Sequence, residues 1–448
     1  MVRFIRWFRG FLRVRPGEIG LVAVMGFILF FNSLALQVSN IVSISGFLSE
    51  VNVSSILAVW IVEMLLIIIS TAVQSLIVDR FHRLSLLRGM ILTFIGLYLL
   101  LAVMFALGLP AWLNYTLLML FVDQQLYFFP TIYWILANDV MDMSQAKRLF
   151  PLIASFGVIG EIAGLGISAA APAVLNVLHM PPTILIYLVI LAFLVPFGLT
   201  FWLNRIRFRE TLEQQVSTRE ALSEGWNFVK EVPSFRYLML SMVAVAIVMT
   251  IIEYHFLAST EQVYSQMDNF QTFYSLIFLA QTIVAIILQA VVTSRIIAHF
   301  GLKNTFIIMP IFALLCALWP LGLPGIVSGA GSYLVAKLSL NSVDDIARKT
   351  LESLVPEERR GRVSMFMDSY LFATGVILSA IIIAIVLAAH PLIPMIPSYV
   401  IYLAIGAILS VIALWWILKM RTVYDSSLFN WRLKRRQRTA SIIDKLNV

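Results

Sequence analysis

The chain has 448 residues, of which 60% are hydrophobic and 12% charged, with a mean hydropathy of +0.93 and a formal net charge of +8. A soluble globule of this length does not carry that composition, so the chain belongs in a membrane. The single cysteine, Cys316, excludes an internal disulfide and a cysteine metal site, and the five scattered histidines offer no zinc spacing.

From the N-terminus, residues 1–17 alternate Arg3, Arg6, Arg9 and Arg13 with Phe4, Phe8, Phe11 and Leu12, the pattern of an amphipathic helix lying on a membrane surface. Six apolar stretches, each of roughly membrane-spanning length, follow at 18–45, 55–78, 86–108, 112–137, 149–171 and 182–204. A polar linker, 205–235, comes next. In it Ser217 and Glu220 form a capping box for a short helix carrying Leu222, Trp226 and Val229 on one face. Six more stretches run over 236–261, 272–294, 304–323, 325–347, 363–388 and 397–419, and a basic tail, 421–448, ends the chain. The spacing thus predicts an all-α polytopic membrane protein of twelve spans. It comprises two similar six-helix bundles, 18–204 and 236–420, related by a pseudo-two-fold axis.

Charge fixes the expected orientation. Of the 32 Lys and Arg residues, all but Lys337 fall on the linker, the termini and alternate connections; the connections around Glu50, Pro110, Pro172 to Pro182, Asp268, Pro324 and His390 have none. Basic residues stay cytoplasmic, so both termini are expected in the cytoplasm, most simply at a plasma (inner) membrane. The net charge is therefore a topological signal and no argument for nucleic acid. The run Arg432 to Arg438 beside Trp431 is expected to meet anionic lipid. Nothing in the pattern demands an oligomer, and a monomer is expected.

Polar residues inside spans mark the expected solute path. Stretches 3, 6, 9 and 12 have no charged residue in their interiors, as lipid-facing helices should. Polarity gathers in 1, 4, 7 and 10: Asn32, Ser33, Gln37 and Asn40; Asp123, Gln124, Tyr127 and Thr131; Thr250 and Glu253; Tyr333, Lys337 and Asn341 at i, i+4 and i+8. Lys337 stands near mid-span, where a charge survives only if paired or facing water; it is the first candidate for substrate binding, with a structural ion pair to Asp123 or Glu161 as the alternative. Asp123, Glu161 and Glu253 are candidates for proton coupling, against the plainer role of interhelical hydrogen bonding. Gly157, Gly160, Gly164 and Ser168 supply small-residue spacing for close helix packing. Acid and base residues recur at cytoplasmic ends in both halves: Asp79, Arg80 and Arg83; Asp139, Lys147 and Arg148; Asp345, Arg348 and Lys349. Their repetition favours a gate, with pairs Asp79–Arg83, Asp139–Arg148 and Asp345–Arg348 forming as the cytoplasmic mouth closes, over simple solvated charge.

Two stretches carry a family likeness. QSLIVDRFHR, Gln74 to Arg83, resembles the Gly-x-x-x-Asp-Arg loop of the major facilitator superfamily, with Ser75 at the usual glycine. YWILANDVMDMSQAKRLFPLIASFGVIG, Tyr133 to Gly160, is similar to the ATP/ADP translocase-like branch (Npt-type nucleotide transporters), and ARKTLESLVPEERRGRV, Ala347 to Val363, looks like its second-half partner. The resemblance implies the major facilitator fold and secondary active transport by alternating access, as an antiporter or proton symporter, with a nucleotide or nucleotide-like solute the implied small-molecule substrate. It places the branch's acidic residue at Asp139 and its basic cluster at Lys147 and Arg148. The second-half Lys-Glu pair falls on Arg348 or Lys349 with Glu352.

Charge balance opens a second reading. Glu63, Asp123, Glu161, Glu253 and Asp368 lie within spans against the one lysine, whereas a polyanion demands several cations. A proton-coupled carrier of a cationic or zwitterionic solute is therefore an alternative, and a non-transporting membrane sensor or scaffold is another. No catalytic residue, cofactor or metal is expected, and no phosphate-cradling loop marks an ATPase or other enzyme.

Overall fold

The computed structural model of the chain describes residues 14–77, 81–203, 226, 230–264, 266–352, 363–364, 366–392 and 394–446. Among them there is no strand. Asp79, Arg80, residues 1–13 of the N-terminal segment and the capping box at Ser217 lie outside the described residues.

The helices are α1 (Ile19–Glu50), α2 (Ile56–Ile77), α3 (Arg83–Ala106), α4 (Ala111–Val140), α5 (Met143–Leu178) and α6 (Leu185–Leu203), then α7 (Pro233–Val263), α8 (Met267–Ile287), α9 (Ile308–Gly322), α10 (Ile326–Ser339), α11 (Phe372–Ala389) and α12 (Ser398–Leu446). A π-helical turn, Leu288–Thr293, carries α8 on into Ser294–Phe300; another, Leu340–Asp344, carries α10 into Asp345–Glu352; a third, Phe366–Leu371, precedes α11.

Ten helices among the described residues are long and apolar enough to cross a membrane, two fewer than the twelve spans expected. The two that fall short are α4 and α10. They are the helices into which Asp123, Gln124, Gln125 and Lys337 fall, and these polar residues lower their hydropathy.

Two compact units divide the chain. The first is Met1–Ser55, Ile69–Gln215 and Glu261–Ile283; the second is Ile56–Ile68, Val216–Thr260 and Val284–Val448. In the first, α1 and α5 pack backbone to backbone. A Cβ at Gly160 would stand 2.1 Å from the Phe30 carbonyl oxygen, and one at Gly164 would stand 2.8 Å from that of Leu34, so only glycine permits the approach. The start of α5 is fixed by Asp142, whose carboxylate accepts from the backbone N–H groups of Ser144 and Gln145 (both 2.8 Å) while the Gln145 side chain accepts from Asp142 N–H.

In the second unit, Phe235, Leu238, Phe306, Ala347, Leu351, Phe366, Met367, Ile417 and Met420 form a buried cluster at one end of the helices. Elsewhere large apolar side chains stand exposed. They include Leu92, Leu99 and Val103 on α3; Leu191 and Leu194 on α6; Ile311 and Leu315 on α9; and Ile408, Val411 and Trp415 on α12. A hydrocarbon solvent accounts for such faces on the four apolar stretches whose interiors carry no charge.

Candidate functional site

In the first unit a polar network runs through the helix interior. Gln125 Nε2 donates to the Asn32 carbonyl (3.0 Å) and Oδ1 (3.1 Å); the Tyr98 hydroxyl donates to Gln125 Oε1 at 2.9 Å and sits 3.1 Å from Ser39 Oγ. Asn32, Ser39, Tyr98 and Gln125 are all buried. Asn32, expected to bind solute, is thus held by α4. Gln125, Tyr98 and Ser39 were missed by sequence reasoning. The signal was present for Gln125, which keeps step with the buried apolar positions Leu118, Val122, Phe129, Ile132 and Leu136 of α4.

The other expected binding residues of this unit, Gln37, Asp123, Gln124 and Tyr127, are half-buried. Gln37 Oε1 and Gln124 Nε2 are buried atoms with no hydrogen-bond partner among the described residues. Such groups are costly unless something satisfies them. Glu161, also half-buried, accepts a 2.7 Å hydrogen bond from Thr282 Oγ1.

In the second unit Tyr333 is buried and stacks on Phe256 with centroids 4.8 Å apart. Lys337 is half-buried, its Nζ 5.9 Å from the Tyr333 ring centroid. Among the described residues of its own unit no carboxylate forms an ion pair with it. Just beyond it, the two π-helical turns are pinned together. Gln289 Nε2 donates to the Asn341 carbonyl (3.3 Å) and Thr293 Oγ1 to that of Ser342 (2.6 Å). The extra residue of a π-turn frees backbone acceptors, which these side chains take. Glu253 is half-buried on α7, and two residues on His255 meets the Tyr402 hydroxyl at 3.1 Å.

Each unit also carries an ion-pair cluster at one end. In the first, Arg83 Nε lies 3.8 Å from Asp139 Oδ2. The fork of Arg148 closes on Glu18, with Nη1 to Oε2 at 3.3 Å and Nη2 to Oε1 at 2.9 Å. The sequence spacing pointed Arg148 to Asp139; the carboxylate on which its fork closes is Glu18, contributed by the residue before α1. Gln145 Nε2 (3.2 Å) and the Arg15 N–H (2.9 Å) add to it. The Arg148 hydrogen bonds hold the Glu18 carboxyl down at about 2 against the opposing effect of burial. Lys147 is exposed.

In the second, Arg348 bonds Asp344 (3.1 Å), Asp345 and Asp368 (3.1 Å), and Lys349 bonds Glu352 (3.4 Å) and Asp368. Asp368, read from sequence as an intramembrane carboxylate, belongs to this cluster; it lies in the π-turn that precedes α11. No group of three or more His, Cys, Asp or Glu residues that could hold a metal occurs among the described residues.

Comparisons with known proteins follow the same lines. The TLC ATP/ADP transporter family matches residues 111–343, just over half of the chain. No curated protein matches. Among solved structures, a mutant of the nucleoside transporter NupG is similar at a TM-score of 0.66 and 18% identity, covering 89% of this chain and 99% of that one. A bacterial homologue of the iron transporter ferroportin, inward-facing, is similar at 0.63 and 12%, covering 91% and 99%. An auto-inhibited POT family peptide transporter is similar at 0.63 and 11%, covering 89% and 96%. At these identities the likeness establishes the fold, which is that of the major facilitator transporters. The chain is an integral membrane protein, a secondary transporter belonging to the TLC ATP/ADP transporter family.

Proposed function

We propose that the protein carries a nucleotide-like solute of low charge across a plasma (inner) membrane by alternating access, leaving the solute chemically unchanged. The observation that carries this reading is Lys337, a half-buried cation in a helix interior with no carboxylate bound to it among the described residues of its own unit. An anionic group on the solute satisfies it, and the Tyr333 ring beside it offers a stacking surface. Asn341, four residues further along the same unit, offers a hydrogen-bonding group; within the first unit, taken by itself, Gln37, Asp123, Gln124 and Tyr127 are the candidates for solute binding. One lysine suits a nucleoside monophosphate better than a triphosphate.

The ion-pair clusters around Asp139 and Arg148, and around Asp345, Arg348 and Lys349, act as cytoplasmic gates. The protein works as a monomer with both termini cytoplasmic and its basic tail on anionic lipid.

A second reading, proton-coupled transport of a cationic or zwitterionic solute, is favoured by Glu161. Among the described residues its carboxylate is met by the neutral Thr282 hydroxyl and balanced by no cation. One experiment separates the readings: uptake into proteoliposomes of nucleosides, nucleoside mono-, di- and triphosphates, and amino acids, with and without a pH gradient. We expect uptake of a nucleoside monophosphate, reduced roughly tenfold or more in Lys337→Ala, the loss expected on removing a charge-assisted hydrogen bond. Uptake of an amino acid driven only by the pH gradient establishes the second reading. Absence of flux for every solute makes the protein a sensor or scaffold, and normal uptake by Lys337→Ala removes Lys337 from the site.

A further inference from the structure

The first turn of a helix leaves backbone N–H groups without acceptors, and the helix dipole makes that end receptive to a carboxylate. Before α2 the turn Val53–Ser55 has this character. Asn52 Oδ1 accepts from the Ser55 N–H (2.8 Å) as a local cap, and the Val53 N–H finds its acceptor 208 residues away, in Glu261 Oε1 at 2.8 Å. Glu261 lies at the end of α7.

The residues that follow it are held by the same unit. Met267 Sδ meets the Tyr115 hydroxyl at 3.7 Å, Gln271 Nε2 donates to the Ser168 carbonyl at 3.0 Å, and Thr282 donates to Glu161. The α7–α8 tip lies in a segment, 261–283, that belongs to the first unit and takes in most of α8, while the rest of α7 belongs to the second. Its contacts with Tyr115, Ser168 and Glu161 come from neutral or soft groups of the tip. In the Glu261 contact the tip itself supplies the charge, and it grips a backbone N–H at a helix start.

We infer that Glu261 is a latch: its carboxylate on the Val53 amide holds the α7–α8 tip against the corner between α1 and α2 in one transport state and lets go in the other. The inference rests on the transporter reading, since a latch has a use only if the tip moves. It differs from a static helix cap in what its loss does. Losing a cap lowers stability, whereas losing a latch also shifts an equilibrium between states.

The test uses the full chain, purified in detergent, with Cys316→Ala and one new cysteine, Ile44→Cys, on the half-buried face of α1 that also carries Gln37 and Asn40. The rate of maleimide labelling reads how often that face is open, and needs neither a known substrate nor a known orientation. Glu261→Ala should raise the rate roughly fivefold or more, as loss of a charge-assisted hydrogen bond allows. Glu261→Gln, whose amide oxygen still accepts, should give a smaller rise. Val53→Pro removes the donor at a helix-start position that tolerates proline. It should match Glu261→Ala, and the double variant should label no faster than either single.

A lowered melting temperature with unchanged labelling in Glu261→Ala and Glu261→Gln would make the bond a static cap and overturn the latch. Additive effects of Glu261→Ala and Val53→Pro would overturn the pairing. Absence of solute flux with labelling shifted as expected would fault the transport reading and leave the tip's two positions standing.

Discussion

At the scale of single residues, the Glu18 carboxylate has the largest set of partners in the first unit's ion cluster. Arg148, Gln145 and the Arg15 N–H all converge on it, tying the segment ahead of α1 to the first turns of α5. The bonds to Arg148 favour the ionised form and hold the carboxyl at about 2, down from an ordinary 4.5. The sign of the pH dependence follows. The unfolded chain takes up its proton near the ordinary value and the folded one only near 2. The contribution to stability is therefore whole above about 4.5 and is lost as pH falls through the window toward 2. We expect Glu18→Gln to lower the melting temperature of the purified protein by a few degrees at neutral pH. The gap from wild type should narrow steadily as pH drops below 4.5. A gap unchanged down to about pH 3 would mean that the carboxylate's charge contributes nothing to this joint.

At the scale of helices, the seam between α1 and α5 rests on missing side chains. Alanine at Gly160 places a carbon 2.1 Å from the Phe30 carbonyl oxygen, and backbone cannot step aside as a flexible side chain can. Gly160→Ala should cost about 1–3 kcal/mol by forcing the helices apart. Gly166→Ala on the same helix meets nothing within 4 Å and should be neutral or gain up to ~1 kcal/mol from helix propensity. Thermal melts of the two variants check the contrast, and equal losses at both positions would remove the close approach as the cause.

The small-residue spacing at Gly157, Gly160 and Gly164 made this seam legible in the sequence, because its period is that of one helix face. The partner choices of polar side chains were not legible. Gln124 and Gln125 are neighbours in sequence, yet about 100° of helical rotation separates them. Which of the two reaches Asn32 depends on where α1 lies, a tertiary fact. Arg148 meeting Glu18 across 130 residues, and Asp368 joining Arg348 and Lys349 from the far side of the connection after α10, are of the same kind.

At the scale of the whole molecule, charge and length together set the orientation to be expected. α12 has 49 residues, so it runs for about 73 Å, more than twice a hydrocarbon core of roughly 30 Å. Its apolar first part, Ser398–Ser426, is long enough to cross, and everything after it must lie in water or at the interface. That second part carries Arg432, Lys434, Arg435, Arg436 and Arg438. Moving such a run across a bilayer during insertion is opposed by both its charge and the cytoplasmic retention of basic segments. The connections at Glu50, Asp268 and His390, with no Lys or Arg, meet no such barrier. In a Cys316→Ser background, single cysteines at Glu50, Asp268 and His390 should therefore react with a membrane-impermeant maleimide in intact cells. A cysteine at Ser441 should react only after the membrane is opened. Reaction at Ser441 from outside, with protection at the other three, would reverse the orientation and turn the cytoplasmic gates proposed around Arg148 and Arg348 into outer ones.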